Sequence, residues 1–229
     1  MSQPQDPPNG SNAEAQAAGQ RLRAMATRIA KEKSEIIWSR AWGLFREPGK
    51  EWEQIRKEDT TVASLFAGYV LPVAAVPTFA GMLGQLVFGE RLPSGEVYRE
   101  PFLSALLGAI LTCLSVVALV YLMGLLINLI AEQFDGDRHE LNALKVAAYT
   151  PTPVLATGLA AIYPGLWWVS LFGLGWSAYL LYRGLPILMR SPQDRAAAYA
   201  TTVAIVAMIA LLLIMMMSGC LSLADQVGA

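Results

Sequence analysis

Val146–Tyr182 reads VAAYTPTPVLATGLAAIYPGLWWVSLFGLGWSAYLLY, 37 residues without one charged side chain. An apolar run of about 18 or more residues marks a membrane-spanning helix. One helix of this length would measure ~55 Å, against a bilayer core of about 30 Å. The run therefore has to fold back, and Tyr163-Pro164-Gly165 near its middle supplies the turn residues. Splitting there predicts two short spans, 146–162 and 166–182. Three further stretches carry no charge: Thr60–Gly89, Pro101–Ala131 and Ala196–Ala224. Each holds one helix, at about 62–89, 101–131 and 196–223. Five spans are expected.

Composition agrees. The chain of 229 residues is 55% hydrophobic and only 15% charged, with a mean hydropathy of +0.42. Soluble domains carry roughly 25% charged residues. Of the 35 charged residues, 19 lie in Met1–Asp59, so a soluble N-terminal segment precedes the membrane domain. Lysine and arginine fix the orientation. Five spans with the N-terminus inside put 15 of them on the inner side and 2 (Arg91, Arg99) on the outer. Four spans would move Arg183, Arg190 and Arg195 outside and weaken that bias. Trp167, Trp168, Tyr179 and Tyr182 flank the fourth span as an aromatic belt would. The expected fold is an all-α membrane protein of five transmembrane helices (60–229) with an N-terminal cytoplasmic amphipathic helical segment (21–59) and a disordered tail (1–20). Met1–Gly19 is polar and offers no signal peptide, so the first span is expected to direct insertion.

In the soluble segment, Leu22, Met25 and Ile29 share a helical face that thickens into Trp38, Trp42 and Phe45. Pro48-Gly49 breaks it, and a short helix over Lys50–Asp59 carries Trp52 and Ile55 three apart. Ten basic and nine acidic residues nearly balance over Met1–Asp59, which excludes a polybasic lipid clamp. The aromatic pattern predicts docking through Trp38, Trp42, Phe45, Trp52 and Ile55. The surface they meet is either the membrane interface or protein, a second copy or another subunit.

Chemistry is scarce. No span has an ionisable residue at its centre, which argues against a proton-coupled pump. There is one histidine, no nucleophile motif and no phosphate loop, so no catalytic residue is assigned and no enzyme is expected. Asp135-Gly136-Asp137-Arg138-His139-Glu140 reads as a turn with Asp137 as cap, not a metal cluster. Cys113 and Cys220 sit in apolar runs as small hydrophobes. No metal or cofactor is implied, and a net charge of −1 gives no reason to expect nucleic acid. The lipid bilayer and other membrane proteins or a second copy are the expected partners.

Prolines interrupt two spans: Pro72 and Pro77 in the first, where Tyr69 precedes them, and Pro151 and Pro153 in the third, after Tyr149. They either line a substrate site or set the curvature that lets a small bundle pack, aided by Gly81, Gly84 and Gly158. Asn128 and Gln85 are expected to hydrogen-bond between helices or at the membrane interface.

The same residues form a recognisable series. Pro48, Trp52, Ile55 and Glu58 precede a proline-containing first span, followed by Lys145-Val146-Ala147-Ala148-Tyr149-Thr150-Pro151-Thr152-Pro153, and then Tyr182-Arg183-Gly184-Leu185-Pro186. This resembles the Ypt-interacting-protein (YIP) family of five-span membrane proteins in its bacterial branch, over about Leu44–Met216. The resemblance implies a cytosolic N-terminus, residence in the bacterial cytoplasmic (inner) membrane with the C-terminus periplasmic, and a non-enzymatic role as membrane adaptor or assembly subunit. A small-molecule or lipid permease using the first and third spans is the alternative. Eukaryotic relatives bind prenylated GTPases, a role a bacterium lacks the machinery to use.

Overall fold

A computed structural model describes residues 37–91, 97–166 and 168–228 together with positions 20, 24, 27 and 35, the side chains of 90, 91, 161, 164, 211 and 213–228 excepted. The expected tail and most of the helix beginning at Arg21 lie outside the described residues. The chain divides into two units, Met1–Trp42 and Gly43–Ala229. Residues 37–46 are helical. All the long apolar helices belong to the second unit.

Helix α1 (Pro48–Lys57) begins on Pro48, whose fixed φ and missing N–H suit the first helical position. Its turns bury Trp52 and Ile55 and leave the charged residues outward. The long helix α2 (Val62–Phe88) starts on a reciprocal cap: Thr61 Oγ1 accepts from the Ser64 amide, and Ser64 Oγ accepts from the Thr61 amide. Within it, Phe66–Val70 forms a wide π turn immediately ahead of Leu71-Pro72. Such turns absorb an irregular bonding pattern inside a helix, and Pro72 supplies the irregularity because it has no N–H to give. Gly89, at φ 67°, ends the helix in a conformation that favours glycine. A two-residue antiparallel ribbon follows, β1 (Glu90–Arg91) on β2 (Val97–Tyr98), a small addition to an otherwise helical fold.

Helix α3 (Phe102–Ile130) runs on through a 3-10 turn to Phe134 and stops at Asp135, φ 54°. Helix α4 (Glu140–Tyr149) ends at Thr150-Pro151; α5 (Thr152–Thr157) restarts after it and tightens into a 3-10 turn, Gly158–Ile162. The expected single helix over 146–162 is thus three pieces, because Pro151 and Pro153 cannot donate to the ladder. Helix α6 (Val169–Met189) continues seven residues past Tyr182, so Arg183 lies on a helix and the link to α7 (Gln193–Gly228) shrinks to Arg190–Pro192.

Among the described residues, two helices are long and apolar enough to cross a membrane, Val62–Phe88 and Phe102–Phe134. Helix α3 is apolar on both faces. Ala105, Ala109, Cys113, Val120 and Gly124 face inward, while Leu103, Leu111, Leu122 and Leu129 are exposed. A helix hydrophobic all round, with its large side chains outward, is built for a lipid surrounding. The inward stripe of small residues permits close crossing: a Cβ on Gly124 would lie 3.0 Å from the Leu144 Cα of α4.

Candidate functional site

The last carbonyls of a helix have no partner within it and need one elsewhere. Two helices, α1 and α6, end on the same side of the bundle, and α4 serves both. Lys145 of α4 is 2% exposed. Its Nζ donates to the Ile55 carbonyl at 2.8 Å and the Glu58 carbonyl at 2.6 Å, at the end of α1. A cation there also meets the negative end of the helix dipole. At the end of α6, Arg56 Nη1 of α1 donates to the Ile187 carbonyl (3.3 Å), Asn142 Nδ2 of α4 to Leu188 (3.2 Å), and the Asp137 amide to Met189 (2.7 Å). Sequence alone places Lys145 in a cytoplasmic loop. It is instead a buried helical residue whose ammonium exchanges water for two carbonyls.

An aromatic stack completes the clamp. Trp52 is fully buried. Its indole lies against Gly184 of α6, where a Cβ would come within 2.8 Å of the ring, and meets Tyr149 edge-on at 6.4 Å between centroids. Tyr149 packs on Tyr69 of α2 at 4.4 Å, and the Tyr69 hydroxyl shares a 2.8 Å hydrogen bond with Thr152 of α5. One turn before α1, Phe45 stacks on Trp176 at 6.0 Å while Trp176 Nε1 donates to the Leu44 carbonyl.

The structure thus brings Trp52, Ile55, Glu58, Tyr69, Lys145, Tyr149 and Gly184 into one cluster joining α1, α2, α4 and α6. Pro48, Pro72, Pro151 and Pro153 shape the helices that carry them. Pro77 stands apart, deeper in α2, where a Cβ on Gly158 would lie 2.7 Å from its own Cβ. The surface that receives Trp52 and Ile55 is the chain's own bundle. Trp38 and Trp42 are exposed.

Several expectations need correction. Asn128 Oδ1 is buried without a partner among the described residues, so that oxygen makes no bond between helices, and Gln85 is exposed. A polar group that does bond between helices in the first span is Tyr69. The cap of α4 is His139, whose Nδ1 accepts from the Asn142 amide at 3.4 Å, not Asp137, whose amide is taken by Met189. Ser191 is 5% exposed, because it folds under Gly136. Thr152, Asn142, Trp176 and Tyr199, whose hydroxyl donates to the Ile127 carbonyl, were missed. Their one sequence signal is a polar or aromatic residue beside a helix end, which many residues share. At the surface, Lys50 lies 2.6 Å from Glu47; its hydrogen bond holds the Glu47 carboxyl below the ordinary value and its own ammonium above.

The Yip1 domain model matches residues 42–215 of this sequence. The chain belongs to the Yip1 domain family. It is also 28% identical over 167 residues to the inner membrane protein YohC from two strains of Escherichia coli, a match covering 72% of this chain and 86% of that protein. No solved structure matches it. The Yip1 region includes the whole clamp, from Leu44 to Tyr199, and begins at the boundary between the two units. It is a membrane protein of a family whose relative in Escherichia coli resides in the inner membrane.

Proposed function

We propose that this Yip1-domain protein is a non-enzymatic adaptor or assembly subunit of the bacterial inner membrane. It would cross five times with its N-terminus in the cytoplasm and its C-terminus in the periplasm. In this reading the clamp fastens α1 to the cytoplasmic end of the bundle. The sequence before Gly43, with Trp38 and Trp42 outward, is then offered to another membrane protein or a second copy. The observation that carries it is the use made of the motif residues. The Lys145 ammonium and the Tyr69 hydroxyl spend their hydrogen bonds, and Trp52, Tyr69 and Tyr149 their rings, on holding α1, α2, α4, α5 and α6 to one another. A permease would need the space between the first and third spans, which the Tyr69 and Tyr149 rings occupy.

Orientation and role are tested separately. Cysteine replacing exposed Val97 should react with an impermeant thiol reagent on intact cells, and one replacing exposed Asp194 should not; reaction at Asp194 defeats the five-span arrangement. For the role, native-nanodisc purification should recover a stoichiometric partner, or the chain as an oligomer, that is lost when Trp38 and Trp42 become serine. Recovery of the monomer alone, with solute flux through reconstituted vesicles, favours the permease.

A further inference from the structure

Beside the clamp lies an open pocket of about 680 Å³. The end of α1 contributes Arg56 and, just beyond it, Asp59; the turn before α4 contributes Asp137, Arg138 and His139; the end of α6 contributes Arg190. Both signs of charge line the wall, Lys57 and Glu58 among them, and Arg190 already lies 3.4 Å from Asp137. The cations keep bonding capacity. A guanidinium has five N–H groups, and the contacts seen use one from Arg56 (to Ile187), two from Arg138 (to Leu129 and Glu132) and one from Arg190 (to Asp137). The first turn of α4, ten residues long, adds amides that no helical carbonyl can reach. Lys145 neutralises the opposing carbonyl end of α1.

The pocket does not end in water. A shallower groove of about 400 Å³ shares His139 and Leu141 with it and continues along Thr60, Thr61 and Val62. Val62 is the first residue of an apolar membrane-length helix, so the charged pocket opens beside the level where acyl chains begin.

We propose that this pocket and groove hold one zwitterionic aminophospholipid. Its phosphodiester lies against Arg138, Arg56 and the start of α4, its ammonium is drawn to Asp59, and its glycerol backbone follows the groove to Val62. A purely anionic lipid would satisfy the arginines and leave Asp59, with Glu58 on the same wall and Glu140 in the groove, facing a like charge. The proposal rests on the membrane reading above but not on its orientation.

The full-length protein, assembled into nanodiscs of equal phosphatidylethanolamine and phosphatidylglycerol, is released into mild detergent and weighed by native mass spectrometry. Wild type should retain one phosphatidylethanolamine with about tenfold preference, the worth of one charge-assisted contact. Asp59→Asn, an isosteric change at an exposed position, should reverse the preference toward phosphatidylglycerol. Arg138→Gln should lose retention of both lipids. Equal retention by wild type, a wild-type preference for phosphatidylglycerol, or an Asp59→Asn variant that still favours the amine would each overturn the proposal. Competition with glycerophosphoethanolamine separates the sources. Little displacement at millimolar concentration is expected; full displacement would make the ligand a soluble diester and refute the lipid assignment. Nanodisc lipid bathes both ends of the protein, so a negative result here leaves the cysteine-labelling result intact, and the reverse also holds.

Discussion

The end of the bundle that carries α1 and the middle of the bundle are held together by different physics. At the end, Lys145, Arg56, Asn142 and the Asp137 amide each donate to a named helix carbonyl, and Trp52 fills a slot cut by Gly184. In the middle, α3 meets its neighbours through Ala105, Ala109, Cys113 and Gly124. Lipid gives helices little hydrophobic reason to associate, so close fit has to serve there. At the end, by contrast, a misplaced helix would strand carbonyls and a buried ammonium. Shape sets the distance between helices; the directed bonds set which helix belongs where. The family motif falls mostly at the end because that is where identity, and not merely size, is required.

Removing a directed bond should therefore cost more than disturbing the fit. Lys145→Met keeps the aliphatic stem and deletes the ammonium, leaving the Ile55 and Glu58 carbonyls short of a donor. Bonds to charged groups contribute roughly 1.5–3 kcal/mol each, so a loss of about 3 kcal/mol is expected, seen as a lower unfolding midpoint and faster tryptic cleavage after Arg56 and Lys57. Gly124→Ala in the middle forces a methyl toward Leu144 and should cost about 1–3 kcal/mol, without exposing those tryptic sites. Tyr69→Phe deletes the hydrogen bond to Thr152, which joins α2 and α5. Such bonds average roughly 0.6 kcal/mol, so a shift near the limit of detection is expected. A large loss at Gly124 with a small one at Lys145 would invert the comparison.

Much of this was legible before any coordinates. The charge-free runs give helices, two of them long and apolar enough to cross a membrane among the described residues, and Tyr163-Pro164-Gly165 falls between α5 and α6, because both follow from length and turn chemistry. The motif residues were also visible as a series. Their common purpose was not. Helix α1 and Lys145 are 90 positions apart in the chain, and nothing in a periodicity says that a lysine will cap a distant helix. A charged residue was read as a loop marker, which holds when its charge faces water and fails when two carbonyls take water's place. Pro151 and Pro153 announced a kink, but whether it became a bend or a full break depended on the packing of α5 against α2 and α6.

The claim that α1 is locked to α6 through Trp52 and Gly184 is tested most directly by a double-substitution cycle. Unfolding free energies would be measured in one detergent for wild type, Gly184→Ala, Trp52→Ala and the double variant. Alone, Trp52→Ala should cost about 3–5 kcal/mol and Gly184→Ala about 1–3 kcal/mol, the latter because its methyl meets the indole. With the indole gone, the added methyl enters vacated space, so the second change should cost nothing or restore stability. That gives a coupling above about 1 kcal/mol, in the range seen for residues in contact. Costs that simply add would mean the two residues do not touch, and the lock would be wrong.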